Sequence, residues 1–595
     1  MCGIFALISS QNIKHNLKSH IKIPKYALRM AKKLRHRGPD GTGFMQTDHC
    51  CFAHTRLSII DPESGNQPLT NSNNTLILCV NGEIFNYKEL KQTFCNYSYK
   101  TNSDCEPILA IYNHYVNQSK LMDTNDTNDT KPLSHQYIIE IMKHIDGQFS
   151  FILHDTQTNM VLVARDPFGI TQCYYGMDKY GNIQIASEMK ALESCIKVEV
   201  MPAGSYLYFN VKDAVLNPIY YFTEMPNGKW VEQGQGQGQK QITYEYQPQP
   251  ILNKYEQEQL CIQIKETLEK EVIKRLMCDV KFGCLLSGGL DSSLIASITM
   301  KYMQEHPEIY GITPELHTFS IGDSDGSDLP FARQVAEHIG SKHHEIRFTV
   351  EDGLNVLEQV IWHLETADIT TIRASTPHFL LAEKIQTLGV KMVLSGEGSD
   401  EILGGYLYYH FAPDDKAHQL ECKRRVLDLG YFDCLRSDKS TMGNSLEARV
   451  PFLGADFVNL CINIHKDVKM QNGIEKYILR KAFDVENMLP HSVLYRQKEQ
   501  FSDSITYRWI DTLREMTDKN IREHHWGAYL NREMLYPINT PQTTEAFYYR
   551  LIFEKLFPNR ANTFKAWVPN TTWKGIDSSD PSGRAQKCHM QTICK

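Results

Sequence analysis

No apolar run in these 595 residues approaches the roughly 18 that a membrane helix needs, which excludes a helical membrane span. Cysteine is present but unorganised. Of the 16, no two stand three apart, and only Cys50 and Cys51 are adjacent. That spacing excludes a zinc framework or a small disulfide scaffold and fits reduced thiols in the cytosol. Long basic runs are missing too; the formal charge of −7 is spread along the chain, so nothing asks for nucleic acid or an anionic membrane. The opening MCGIFALISSQN has an apolar stretch too short and too lightly charged for a signal peptide. There is no GxxxxGK[ST] stretch, so no Walker-type loop carries a lysine to the β- and γ-phosphates. What remains is a cytoplasmic protein with 42% hydrophobic residues, ample for packed cores. At roughly 150 residues per domain its length allows two to four domains.

A different phosphate loop is present. In KFGCLLSGGLDSSLIAS, residues 281 to 297, an apolar strand ends at Leu285 and Leu286, and a helix with Leu294, Ile295 and Ile298 on its inner side begins at Ser292. Between them, Gly288 and Gly289 remove side chains that would keep a ligand off the backbone. Peptide N–H groups and the positive helix end can then converge on a phosphate. Asp291 stands where a carboxylate would suit Mg²⁺ bound jointly with a nucleotide. SGG alone is as well read as an ordinary turn; the aspartate, the strand before it and the helix after it favour the phosphate nest.

The first 210 residues are β-rich. Apolar runs at CGIFALIS, 75 to 81, 148 to 155, 160 to 166 and 182 to 188 are separated by turn residues, with helical patterns at 24 to 35 and 87 to 94. Stacked sheets with covering helices are the expected packing. Residues 117 to 134 hold a TND repeat with little apolar content, read as a solvated loop. The pattern decays from 211 to 255, where a Gln/Gly tract in the region 234 to 241 reads as a flexible linker. Leu260, Ile264, Leu268, Val272 and Leu276 then make an amphipathic helix. Strands are expected at 281 to 286, 315 to 321, 343 to 348 and 390 to 395, with helices at 292 to 304, 329 to 339, 351 to 365 and 376 to 388. The alternation predicts a doubly wound parallel sheet. SGGLDSS, SIGDSDGSD (320 to 328) and SGEGSDE (395 to 401) fall at its carboxyl edge, where ligands bind. Beyond 405 the chain reads as mostly helical, and beyond 562 as an irregular tail.

Cys2 follows the initiator methionine. Its small side chain permits removal of Met1, which would leave a thiol beside a free α-amino group able to take its proton. Alone it could equally be a small buried cysteine in an edge strand. It is accompanied by RHRGPDGTG (35 to 43), HTRLSIID (54 to 61), NGEIFNY (81 to 87) and NSDCE (102 to 106). These motifs resemble the glutaminase domain of the N-terminal-nucleophile amidotransferases. With SGGLDSS, TTIRAST (370 to 376), SGEGSDE, EARVPFL (447 to 453), GIEKYILR (473 to 480) and RQKEQFSD (496 to 503), the whole chain is similar to the glutamine-hydrolysing asparagine synthetases.

The resemblance implies an αββα sandwich of the N-terminal nucleophile type over 1–210, a linker over 211–255, an ATP-dependent α/β synthetase domain over 256–562 and a tail over 563–595. It implies a carbon–nitrogen ligase that makes asparagine from aspartate, ATP and glutamine-derived ammonia through a β-aspartyl-adenylate, releasing AMP and pyrophosphate. Cys2 would attack glutamine, with Asn81 and the Gly82 N–H as oxyanion hole. Arg56, Leu57, Ser58, Ile59, Ile60, Glu83 and Asp104 would complete the glutamine site, Arg56 on the carboxylate. ATP would lie against Leu285, Leu286, Ser287, Gly288, Gly289, Asp291, Ser292, Ser293, Ile321, Ser395 and Gly396. Asp291 and Asp400 would bind Mg²⁺, Glu397 and Lys476 would support adenylation, and Thr370, Thr371 and Arg373 would bind aspartate. The resemblance also allows a homodimer, and the pairing of sites predicts an internal ammonia channel. Other adenylating enzymes with an SGGxDS loop, including β-lactam-forming synthetases and tRNA-modifying enzymes, need no Cys2, Arg56, Asn81 and Asp104 together. Sugar-phosphate amidotransferases would lack SGGLDSS, and a non-catalytic scaffold would have lost Cys2, Asp291 or Glu397.

Overall fold

The computed structural model describes residues 1–13, 23–122, 131–222, 224–225, 228–235, 239–244, 246, 248–484, 488–499, 501–506 and 508–577. It divides into two compact units. One comprises Met1–Phe222 with Met277–Val280 and Met442–Ser445; the other comprises Thr223–Leu276, Lys281–Thr441 and Leu446–Lys595.

The first unit stacks two six-stranded antiparallel sheets. Its strands are β1 (Gly3–Ile8), β2 (Gly41–Gln46), β3 (Cys50–Arg56), β4 (Leu69–Thr70), β5 (Leu76–Ile84), β6 (Gly147–Asp155), β7 (Met160–Arg165), β8 (Tyr174–Asp178), β9 (Ile183–Ala186), β10 (Cys195–Val200), β11 (Ser205–Asn210) and β12 (Ile219–Tyr220). The orders are β10-β8-β9-β1-β3-β2 and β12-β11-β7-β6-β5-β4. β5 shows why its sequence is apolar throughout. Ile77 and Cys79 enter the core between the sheets with Ile4, Phe52 and Ile152, while Leu78 and Val80 enter a second core under the helices. Successive side chains point to opposite faces, and both faces are buried. Helix α1 (Ile23–Lys33) covers β1 and β3 with Tyr26, Ala27 and Met30. Helices α2 (Tyr87–Thr93), α3 (Pro107–Met122) and α4 (His135–Lys143) cover the other sheet with Leu90, Ile108, Ile138 and Ile141. The layers form the expected αββα sandwich. Most of the TND repeat, at 123–130, lies outside the described residues.

The second unit opens on a small antiparallel sheet of β13 (Glu224–Met225), β14 (Gly228–Gln235) and β15 (Gln239–Tyr244) and is built on a parallel sheet of β16 (Phe282–Leu285), β17 (His317–Gly322), β18 (Lys342–Arg347), β19 (Met392–Leu394) and β20 (Glu447–Arg449), in the order β18-β17-β16-β19-β20. Strand order reverses between β16 and β19, and the crevice outside that reversal is where open α/β sheets bind ligands. β20 leaves no signal in the sequence pattern; at three residues within EARVPFL it is too short to show a period, and its pairing with β19 defines it. Helix α5 (Lys254–Lys274) opens on a capping box of Asn253 with Glu256 and buries Ile264, Leu268 and Val272. α6 (Leu290–Glu305), α7 (Pro307–Tyr310), α8 (Asp328–Ile339), α9 (Val350–Leu364) and α10 (Ile369–Thr387) follow.

α10 starts seven residues earlier than the pattern predicts, at Ile369 rather than 376. Asp368 caps it, accepting from the Thr371 N–H at 2.8 Å and from the Thr370 and Thr371 hydroxyls. Pro377 inside the helix cannot donate to Arg373 four residues back, and the Trp509 indole N–H takes that carbonyl at 2.9 Å. Part of the expected linker carries paired strands: Gly228–Gln235 and Gln239–Tyr244 form an antiparallel ladder in which Trp230 and Tyr244 are register partners, and 236–238 of the Gln/Gly tract lie outside the described residues. The tail is irregular but docked as far as 577. Trp567 and Trp573 are buried, and the Trp567 N–H donates to Asp368 at 2.7 Å.

Candidate functional site

Each unit carries a constellation of its own. In the first, β1 places Cys2 at its amino end, and the Cys2 backbone is held on both sides. Its N–H donates to Asn81 Oδ1 at 2.7 Å, and its carbonyl accepts from Arg37 Nε at 2.9 Å. Arg37 is fully buried and paired with Glu188 at 2.9 Å. The Cys2 sulfur lies 3.8 Å from the Leu57 carbonyl. Burial pushes the thiol up, and the nearby Met1 amino group only partly opposes it. With Met1 ahead of it the Cys2 nitrogen is an amide, so a base at that position requires removal of Met1.

Asn81, at 0% exposed, spends its carbonyl on Cys2 and leaves Nδ2 without a partner among the described residues. A buried amide donor held in place and unused is what a developing oxyanion needs. Gly82 next to it has φ +149°, and a Cβ there would stand 2.0 Å from the Gln148 carbonyl oxygen, so only glycine fits. Asp104 accepts the Ile84 N–H at 2.8 Å, and Glu83, which precedes Ile84 on β5, is buried. The Ser58 N–H donates to Asp40 at 2.7 Å.

Arg56 is placed differently from expectation. Its Nη1 donates to the Pro62 carbonyl and the Asn66 amide oxygen, each at 3.1 Å. Its Nη2 donates to the Ile60 and Asp61 carbonyls at 3.2 and 2.5 Å. All four terminal N–H groups thus stitch the loop after β3, which carries Leu57 to Ile60, and only Nε–H remains uncommitted to it.

In the second unit, SGGLDSS and SGEGSDE meet around a cavity of about 190 Å³. Leu285, Leu286, Ser287, Gly289, Asp291, Ser292, Ile321, Ser395, Gly396, Glu397, Asp400, Lys476, Thr370 and Thr371 line it. The Ser287 and Ser292 hydroxyls lie 3.0 Å apart across the loop, and Gly289 is the N-cap of α6 with no side chain to cap it, leaving the first-turn N–H groups toward the cavity end. Gly288 and Ser293 stand behind this surface. Gly288, at φ +76°, packs on α8, where a Cβ would reach the Ala332 nitrogen at 2.4 Å, and Ser293 is buried.

Charge concentrates at the reversal of strand order. Lys476 Nζ lies 2.7 and 2.9 Å from the Asp291 oxygens and 2.6 Å from Asp400, and Lys498 lies 2.7 Å from the other Asp400 oxygen. Burial acts to raise Asp400, but Lys476 and Lys498 outweigh it and hold the carboxyl well below the usual range. Burial raises Glu397, which pairs with Arg436 at 2.7 Å, and Arg436 also holds Asp433 at 2.7 Å. Burial, followed by the Asp433 and Asp400 charges, raises Glu401, which accepts from the Tyr406 hydroxyl.

Arg373 is not brought to the cavity. Its guanidinium forms a two-pronged pair with Glu545 at 2.9 and 2.6 Å, both residues buried. Lys498, Arg436, Tyr406, His378 and Trp567 line the cavity without having been singled out. Lys498 stood in RQKEQFSD, but a lysine in a polar run carries no signal until its partner Asp400 is placed beside it.

A model of the family described as asparagine synthase matches residues 263–425 and 412–575, and one described as a glutamine amidotransferase domain matches 54–194. A probable asparagine synthetase [glutamine-hydrolyzing] of Dictyostelium discoideum is 42% identical over 614 residues, covering 100% of both chains. The chain belongs to the glutamine-hydrolysing asparagine synthetases. Asparagine synthetase [glutamine-hydrolyzing] 1 of Lotus japonicus and of Arabidopsis thaliana are each 40% identical, with 98% of this chain and 93% of the relative covered.

Proposed function

We propose that the chain makes asparagine from aspartate and ATP, using ammonia it releases from glutamine, and that the residues above divide the work as follows. The Cys2 thiol attacks the glutamine amide carbon, the oxyanion is met by Asn81 Nδ2 and the Gly82 N–H, and ammonia leaves. Water then opens the thioester to glutamate. Asp104 and Glu83 suit the glutamine ammonium, and the loop stitched by Arg56 forms the wall of Leu57 to Ile60. In the synthetase cavity the aspartate β-carboxylate attacks the α-phosphorus of ATP and pyrophosphate leaves. Ammonia then attacks the acyl carbon, AMP departs with the bonding electron pair, and the nitrogen gives up one proton to the departing phosphate, leaving the neutral amide.

Activation of the carboxylate explains why two sites share one chain. A free carboxylate does not condense with an amine, and a simple amine is almost wholly protonated at neutral pH, roughly one part in a thousand being free. Lys476 and Lys498 supply positive charge where phosphate charge develops. Asp291 and Asp400 offer oxygen donors of the kind Mg²⁺ takes, and each oxygen keeps a lone pair beyond its lysine contact. A Mg²⁺ carried by the nucleotide would be held there and would offset phosphate charge. Thr370 and Thr371, on the cavity wall, remain for aspartate, joined by Arg436.

The observation that carries this reading is Lys476 bridging Asp291 of the first loop and Asp400 of the third. Product analysis with ATP, aspartate and glutamine is expected to give AMP, pyrophosphate, glutamate and asparagine in equal amounts; ADP, or AMP formed without aspartate, removes it. We assign the protein to the cytosol on its scattered cysteines, none of which forms a disulfide among the described residues.

A further inference from the structure

His378 stands in the wall of the synthetase cavity with no part in the roles above. It is 3% exposed and shares a stripe of α10 with Thr370, Ala374 and Leu381. Its Nδ1 lies 3.1 Å from the Ser440 hydroxyl oxygen. That hydroxyl has a single proton, and it donates it to the Arg436 carbonyl at 2.6 Å. Nδ1 must therefore carry the ring proton and donate to Ser440, which leaves Nε2 as a bare acceptor. Among the described residues Nε2 makes no hydrogen bond. His378 belongs to the cavity wall and its Nε2 keeps accessible surface, so a ligand donor can reach this open acceptor.

The surroundings select the donor. Burial, with the Arg436 charge adding to it, pushes His378 down to about 3, so the ring stays neutral at physiological pH. Phe501 closes one side, its ring centre 6.1 Å from the imidazole, and Ala374 and Leu381 are apolar. A cation gains little from a site backed by Arg436, and Glu397 and Asp433 offer ammonium groups better partners nearby in the cavity. A small neutral N–H donor fits.

We propose that His378 Nε2 receives the ammonia in the synthetase cavity, accepting one N–H and turning the nitrogen lone pair toward the acyl carbon. The assignment rests on the amide-forming reading of this cavity. With its one ring proton engaged at Nδ1, the neutral imidazole has none to give at Nε2, so it holds ammonia without converting it to unreactive ammonium.

The test is asparagine synthesis from added ammonium salt by the full-length enzyme, with ATP–pyrophosphate exchange in the presence of aspartate measured on the same preparations. H378M, which keeps bulk and removes the acceptor, is expected to raise the KM for ammonia on the order of tenfold, the effect of one hydrogen bond. Exchange and the KM values for ATP and aspartate should stay close to wild type. H378Q, whose amide oxygen restores an acceptor, should recover part of the ammonia KM. A raised KM for ATP would reassign Nε2 to the adenine amino group, and a raised KM for aspartate to its ammonium; either overturns the proposal, as does an unchanged ammonia KM. If H378M fails to fold, as judged by melting, H378Q decides, because an ammonia KM there raised on the order of tenfold or more with exchange intact also overturns it. Loss of AMP formation by the wild type would instead remove the amide-forming reading itself.

Discussion

Lys476 Nζ lies 2.7 Å from one oxygen of Asp291 and 2.9 Å from the other, across 185 residues of chain. Lys476 is 1% exposed and adopts a left-handed backbone, φ 53°, just ahead of a helix. K476M leaves two buried carboxylates short of a cation, and removing one partner of a buried pair costs about 3–5 kcal/mol. ATP–pyrophosphate exchange should fall on the order of a hundredfold or more. D291N should abolish AMP production with either nitrogen source. Wild-type turnover in either variant removes the residue from the adenylation site.

Cys2→Ala should abolish glutamine-supported synthesis and spare synthesis from ammonium. N81A should lower glutamine hydrolysis on the order of 10² to 10³, by loss of the unpartnered Nδ2 donor and of the brace on the Cys2 backbone. Simultaneous loss of the ammonium reaction in both would show that the sites are not separable.

Gly405 lies against the charge cluster: a Cβ there would stand 2.0 Å from Asp400 Oδ1 and 2.8 Å from Lys476 Cε. G405A must displace that contact. Exchange should drop steeply while glutamine hydrolysis persists, and unimpaired exchange would mean that the cluster tolerates displacement.

R373M should act on stability, lowering it by about 3–5 kcal/mol as Glu545 loses its buried partner. The KM for aspartate should change only as far as the fold does. A variant that melts like wild type yet needs far more aspartate would return Arg373 to the substrate site.

Asp400 sets a pH limit. Its folded pKa lies below the unfolded value near 3.9, so the stability it contributes is present above about pH 4 and is lost as pH falls further. Lys498 is shifted upward: burial opposes the shift, but Asp400 and Asp291 prevail. Its contribution is present below about pH 10 and fades as pH rises beyond that. In urea melts at pH 7 K498M should therefore be less stable than wild type, and equal stability there counts against the pairing.

Much of this molecule was legible in linear order. β5 reads as a strand because both its faces are buried, and SGGLDSS reads as a phosphate nest because glycine, serine and a helix start are local features. The start of α10 was not legible. Asp368 supplies the cap, yet Pro377 argues for a break, and only the Trp509 indole from a remote helix satisfies the carbonyl that proline leaves open. The docked tail was missed for a similar reason, since Trp567 makes its contacts through an irregular backbone with no period to detect.

The sequence by itself determined which chemical groups are present: a cysteine behind Met1, the glycine- and serine-rich SGGLDSS loop and the motifs of the family, all of them short contiguous patterns. Only the tertiary structure decided which side chains meet. A helix advances about 100° per residue, so Thr370, Ala374, His378 and Leu381 fall on one stripe facing the cavity while Arg373 turns to Glu545. Lys476, Asp291 and Asp400 are brought together by the order of strands in the sheet, and the free nitrogen of His378 is chosen by a hydroxyl 62 residues away. Such pairings depend on packing between distant segments, which local pattern does not encode.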